Sequence, residues 1–228
     1  MASFKEKFFG KLSGTFGDYI GVIKGDDNFV MRKTSNRKID TSPEGVERRN
    51  RFLTGIKASK KINSINSLRY FWKEAAGPKQ SAYNYCIKKN YPYITGSGTV
   101  DGFSIVPGFG FAFSINTYAR DENGINLSLM QFSNPTLFNT EVEKNIEAYF
   151  IIEVNDPEKA NNEKVHFFPL TTVAQPLDLE NPLSFSVTFE ETDNTLFSLY
   201  PTIKVHIAFC TLDDDGLPIQ YSSSLVQQ

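Results

Sequence analysis

The chain has 228 residues, 40% of them hydrophobic and 22% charged, with a formal net charge of −2; this suffices for one large core or two small ones. No stretch approaches the roughly 20 apolar residues of a membrane-spanning helix, and within residues 1–10 the apolar runs are no longer than Phe8-Phe9, too short for a secretory leader. The expectation is a soluble chain made in the cytoplasm without a signal peptide, its final location being a separate matter.

The near-zero net charge hides a strong division. Residues 1–90 hold nineteen Lys and Arg against eight Asp and Glu (net +11), whereas residues 91–228 hold five against eighteen (net −13). Such asymmetry points to a basic segment that meets an acidic partner, nucleic acid, or the acidic half of the same chain or of another copy.

In chain order, residues 1–9 form a short basic and aromatic leader with Phe4, Phe8 and Phe9. Glycines at 10, 14, 17, 21 and 25 follow, a spacing poor for a helix interior. Tyr19, Ile20, Val22 and Ile23 favour strand, and Gly25-Asp26-Asp27-Asn28 suits a turn. The expected element is a β-hairpin, 17–24 paired with 28–34, with Gly10, Gly14, Gly17 and Gly21 as structural glycines. A phosphate-cradling loop is the weaker reading, because the spacing fits neither a P-loop nor a dinucleotide fingerprint.

Thr41-Ser42-Pro43-Glu44 marks a helix start. Val46, Leu53 and Ile56 share one side of the helix that follows, and basic residues cover much of the rest. A second helix is expected over 63–76, with Ile62, Ile65, Leu68, Phe71, Trp72 and Ala75 at helical spacing before Gly77-Pro78 stops it. A third is expected over 80–89, with Ala82, Tyr83, Cys86 and Ile87 inward.

From about Val100 the period changes to two. Gly108-Phe109-Gly110-Phe111 reads as a twisted or bulged segment, and Glu122-Asn123-Gly124 as the turn of a hairpin between 113–118 and 125–131. Further strands are expected over 146–154, 164–168, 183–189 and 202–212, with a weaker one near 219–225. About seven strands suit an antiparallel β-sandwich of the immunoglobulin or fibronectin type. The predicted fold class is thus α+β: a basic hairpin-plus-helices region over 1–98, then an acidic β-sandwich over 99–228.

Catalytic and metal motifs are not evident. His166 and His206 fall on the polar phase of their strands, which predicts solvent-facing or interface histidines rather than ligands. Asp213-Asp214-Asp215-Gly216 lacks the ligand spacing of a calcium loop and reads as a hairpin turn. Glu141, Glu143 and Glu147 could pair as catalytic carboxylates, but surface acidity is the default in so acidic a half. No Gly-x-Ser-x-Gly elbow occurs, and no cofactor is expected. Cys86 and Cys210 are expected to be buried free thiols.

The basic residues Arg32, Arg37, Arg48, Arg49, Arg51, Lys57, Lys60 and Lys61 lie within thirty positions, near Phe29, Phe52, Tyr70 and Trp72. Phosphate neutralisation with aromatic stacking would suit a single strand of nucleic acid. A solvated helix face, or contact with an acidic protein surface, are the other readings of the same residues.

Three places resemble a family of short bacterial proteins classed as a domain of unknown function. They are Gly10, Ser13, Gly14 and Gly17 with Arg32; the Arg49–Phe52 helix with Ala82-Tyr83-Asn84-Tyr85 and the run at 92–96; and 205–209 with Asp215-Gly216 and Tyr221-Ser222. The resemblance implies a compact β-rich domain, usually without a secretion signal, and no catalytic residues. Together these readings predict a non-enzymatic structural or adaptor protein of an ordered multi-copy assembly, a phage virion or phage-like particle by preference. Its partners would be copies of itself and other assembly proteins. A nucleic-acid-binding protein is the alternative, followed by a sugar-binding sandwich with exposed Tyr and Phe.

Overall fold

A computed structural model describes residues 2–5, 13–24, 27–33, 39–157 and 163–228. They form two compact units, Met1–Ser42 and Pro43–Gln228. The fold is mixed α+β with antiparallel sheets.

The first unit is a four-stranded sheet of β1 (Ala2–Lys5), β2 (Gly14–Phe16), β3 (Tyr19–Lys24) and β4 (Asp27–Arg32), in the order β1-β4-β3-β2. The expected hairpin is β3–β4, with Ile20 opposite Met31 and Val22 opposite Phe29. Gly17 takes φ +58° in the two-residue turn that leads Phe16 back to Tyr19, a backbone shape suited to tight hairpins. Gly14 also has positive φ, and Gly21 is buried opposite it. Gly10, Gly25, Asp26, Arg37 and the leader's Phe8 and Phe9 lie outside the described residues.

The second unit begins with α1 (Pro43–Ile62), α2 (Asn66–Ala76) and α3 (Ala82–Asn90). A small hairpin follows, β5 (Ile94–Thr95) and β6 (Gly98–Thr99). Then come β7 (Ile115–Arg120), β8 (Gly124–Leu129), β9 (Asn145–Asn155), β10 (Val165–Thr171), β11 (Gln175–Pro176), β12 (Ser184–Thr188), the short helix α4 (Glu191–Phe197), β13 (Thr202–Leu212), β14 (Pro218–Tyr221) and β15 (Leu225–Gln227). The central sheet runs β10-β9-β13-β14, with β11 on β9 and β15 on β13, and a three-stranded sheet runs β12-β8-β7.

β9 and β13 are the axis of this unit. They pair antiparallel along their full length, from Asn155 opposite Thr202 to Asn145 opposite Leu212. Successive strand side chains point to opposite faces, and here both faces are covered. Ile146, Phe150, Ile152, Val205, Ile207 and Phe209 share a core with Ile125, Leu127 and Phe185 of the three-stranded sheet. Tyr149, Ile151, Ala208 and Cys210 share a second core with Ala58, Ile62, Leu68, Trp72 and Cys86 of the helices. Two-sided burial explains the unbroken apolar run at 148–152.

The helices dock as their residues dictate, with one inversion. α2 buries Leu68, Phe71 and Trp72, as its spacing predicts. α1 does not bury Val46 and Leu53, which are 38% and 53% exposed. Its covered side is instead Gly45, Thr54, Gly55, Ala58, Ser59 and Ile62. Small side chains let the helix approach closely: a Cβ on Gly55 would sit 3.4 Å from the Ile94 side chain. The larger apolar residues are left on the outer face. Among the described residues no helix is long and apolar enough to cross a membrane.

Candidate functional site

Of the eight predicted basic residues, six lie on α1, Arg32 is exposed on β4, and Arg37 is outside the described residues. The six on α1 serve different ends. Arg51 packs its guanidinium 4.3 Å over the Tyr91 ring and donates to the Tyr91 carbonyl, which ties α1 to the end of α3. Lys57 Nζ lies 2.9 Å from Glu163 Oε2 and donates to the Val165 carbonyl at 3.2 Å, which ties α1 to β10. Lys60 and Lys61 are exposed in the last helical turn, where cations suit the helix dipole. Arg48 and Arg49 are exposed, both one helical turn before exposed Phe52, and Arg49 also one turn from exposed Val46 and Leu53. The outer face of α1 is therefore basic and apolar at once. Across the central sheet, the β7–β8 turn and α4 gather Asp121, Glu122, Glu190, Glu191 and Asp193. Asn194 Nδ2 donates to the Glu122 carbonyl and Phe189 N to the Asn123 carbonyl, which holds the two segments together.

A second place was not legible as a site. Trp72 Nε1 donates to the Ile105 carbonyl at 2.9 Å. The Asn90 side chain brackets Ser104, accepting from its N at 2.9 Å and donating to its O at 2.8 Å. These bonds fix the segment that carries Phe109. Val106 and Phe111 are buried on either side of it, yet Phe109 itself is 99% exposed. The twisted segment expected here is a projecting loop. Phe111 N donates to the Tyr221 carbonyl and Ser223 N to the Phe111 carbonyl, both at 3.0 Å. Gly110 lies so close to this strand that a Cβ there would overlap the Tyr221 carbonyl. Phe109 forms part of the wall of two grooves. One, of about 650 Å³, is also lined by Lys89, Tyr93, Asp101 and Val226; the other, of about 600 Å³, by Tyr70, Leu137, Ile219 and Tyr221.

The third place is a buried cluster of charge. Glu153 is the carboxylate that ends β9's apolar run at 148–152, fully buried on the helix side. Its Oε1 accepts from Thr99 N at 2.8 Å and Asn155 Nδ2 at 3.0 Å, and stands 4.0 Å from Lys204 Nζ. Its Oε2 bonds the Thr99 hydroxyl and lies 3.0 Å from His206 Nε2. Lys204 also donates to the Thr99 carbonyl. Burial alone would push the Glu153 carboxyl up. The hydrogen bond and charge of His206, with the bonds from Thr99, outweigh it and hold the carboxyl below the ordinary glutamate range. His206 is 1% exposed, contrary to the solvent-facing or interface position expected of it, because Phe103, whose ring centroid is 4.9 Å away, and Thr99 of the β5–β6 hairpin cover that part of β13.

This cluster is not arranged for a catalytic relay. Nε2 of His206 faces both the carboxylate and the Thr99 hydroxyl, at 3.0 and 3.3 Å, and buried Nδ1 has no hydrogen-bond partner among the described residues. A relay needs the orienting acid on one ring nitrogen and the nucleophile on the other. The cluster clasps the β5–β6 hairpin to β9 and β13. Gly98 completes it: with φ +153°, a Cβ there would overlap Glu153 Oε1 and lie 2.6 Å from Asn155 Nδ2.

The remaining candidates have local partners. Glu143 is buried, accepts from Asn139 N at 2.7 Å and Gln220 Nε2 at 2.6 Å, and bonds the Thr211 hydroxyl. Burial pushes the Glu147 carboxyl up, against the hydrogen bond from Tyr149. The Asp213–Gly216 segment closes the β13–β14 connection, with Asp213 Oδ1 accepting from Asp215 N and Leu217 N. Cys86 and Cys210 are free and buried. Among the described residues no group of three His, Cys, Asp or Glu is placed to hold a metal ion. No protein-family model matches the chain, and no curated protein matches it.

Proposed function

We propose that this chain is a non-enzymatic structural or adaptor protein of an ordered multi-copy assembly. The observation that carries the reading is the exposed surface of α1, where Arg49 stands one helical turn from exposed Val46 and Leu53, and both Arg48 and Arg49 stand one turn before exposed Phe52. Arginine with large apolar groups is the composition of protein contacts rather than of a merely solvated face. Residues 43–90 hold eleven Lys and Arg against three Asp and Glu, and the β7–β8 turn and α4 offer an acidic counterpart. A basic face of one copy against an acidic end of the next is a heterologous contact, which closes into rings or runs on as filaments. Charge complementarity sets the register of such a contact. Two sheets sharing one core support the finer reading of an immunoglobulin- or fibronectin-like sandwich. A phage virion or phage-like particle, reached from the cytoplasm, is the proposed setting.

The test is light scattering coupled to gel filtration at low and high salt. The wild type is expected to form a salt-sensitive oligomer, and Arg48→Glu with Arg49→Glu to abolish it with unchanged circular dichroism. Arg51 and Lys57 are left intact because they hold α1 in place. Unchanged assembly in that variant refutes the reading. Exposed Phe52, one helical turn from Arg48 and Arg49, favours one second reading, binding of single-stranded nucleic acid. It predicts an affinity that falls steeply with salt, and no mobility shift of DNA or RNA at low salt removes it.

A further inference from the structure

We propose that the Phe109 loop is a self-recognition finger: two copies exchange Phe109 side chains, each entering a groove beside the other's finger. The proposal concerns a different surface from the outer face of α1 and does not depend on it.

Three observations carry it. The first is the cost of the exposure. Phe109 is 99% exposed on a loop that is pinned on both sides, by Asn90 to Ser104 and by the Phe111–Ser222 bridge. A loop so held cannot fold the ring back onto its own core, because the neighbours Val106 and Phe111 already occupy the buried positions. A rigid, projecting aromatic is the kind of anchor that dominates protein interfaces, since little side-chain or loop freedom is lost on docking.

The second observation is adjacency. The finger is a wall shared by two grooves of about 650 and 600 Å³. Knob and hole on one patch are what a two-fold contact requires, because there the same patch faces itself. A finger far from its groove would instead make a head-to-tail chain. The larger groove also carries one cation and one anion, Lys89 and Asp101, so that a two-fold axis can set each against the opposite charge of the other copy.

The third is area. A buried Phe contributes about 150–250 Å², so two fingers and the groove walls they cover supply roughly 600–1,000 Å². A stable interface needs about 1,200–2,000 Å² in total. The rims supply the difference: Tyr70, Tyr93, Leu137, Ile219 and Val226 are each 39–53% exposed around the two grooves.

The test is sedimentation velocity over a concentration series at about 1 M sodium chloride, where the Debye length is about 3 Å and charge-driven contacts are screened. The wild type and the Arg48→Glu/Arg49→Glu variant are both expected to remain dimers. Phe109→Ser is expected to weaken the dimer at least 30-fold, with unchanged circular dichroism and urea unfolding midpoint, and Phe109→Trp to retain it. A wild type that stays monomeric at high concentration, or a Phe109→Ser variant that dimerises as the wild type does, overturns the proposal. Loss of low-salt assembly alone in the arginine variant concerns the α1 face and leaves the finger standing.

Discussion

Replacing Glu153 by alanine should be among the most damaging single changes to the second unit. The variant deprives Thr99 N, the Thr99 hydroxyl, Asn155 Nδ2 and His206 Nε2 of their shared acceptor, in a place closed to water. Leaving a buried donor unpaired costs about 1–3 kcal/mol, and breaking a buried ion pair from one side about 3–5 kcal/mol. These contributions overlap, and about 4 kcal/mol is the working figure. For a domain of this size each kcal/mol moves Tm by about 2–4 °C, so a fall of roughly 8–16 °C is expected. The single tryptophan, Trp72, is buried against the same helix layer and reports the transition by fluorescence. The pH dependence gives a second reading. Because Glu153 is held below its ordinary value of 4.5 in the folded state, its contribution is complete above that value. It is lost as the pH falls through the lower folded-state value. The gap in stability between wild type and Glu153→Ala should thus be full at neutral pH and narrow below pH 4.5. A Tm change under about 3 °C, or a gap that widens in acid, would refute the clasp.

Gly98→Ala attacks the same clasp through the backbone, since the new methyl collides with Glu153 and Asn155 at a positive φ; a loss of about 1–3 kcal/mol in urea unfolding is expected. The two cysteines should both resist a thiol reagent at pH 8 in the native protein and both react in denaturant. Burial pushes the Cys86 thiol up to about 11 and raises Cys210 further; fast native labelling of either would show that the helix-side core is open.

The sequence carried the strands better than the faces they present. β13 occupies 202–212 as its alternation predicts, because a strict period of two has no other regular solution. The same alternation misled on His206: a polar residue opposite an apolar face reads as exposed, and only Phe103 and the β5–β6 hairpin, distant in sequence, make it buried. Glu153 left a sharper trace, as a carboxylate set between the apolar run at 148–152 and Val154. α1 was inverted because close docking selects small residues on the covered side, so Gly45, Gly55 and Ala58 carried the signal that Val46 and Leu53 seemed to carry. α4 was missed because its capping box uses Glu190 and Asp193 rather than Ser or Thr with Glu. Phe109 and Phe111 are two apart and would share a face in a strand, yet one is exposed and the other buried; the close approach of Gly110 to Tyr221 breaks the period.

The pairing of β9 with β13 also sets a problem for the newly made chain. Even its nearest register pair, Asn155 with Thr202, closes a loop of roughly fifty residues, so β9 leaves the ribosome well before the strand that completes its cover. In that interval the run at 148–152 is an uncharged, strand-favouring segment of the kind that pairs with other chains. Glu147 and Glu153 stand on either side of it. While the segment is still in water they act as gatekeepers, two like charges that disfavour stacking of identical strands. The carboxylate that later becomes the buried clasp of the folded unit thus protects the strand during synthesis.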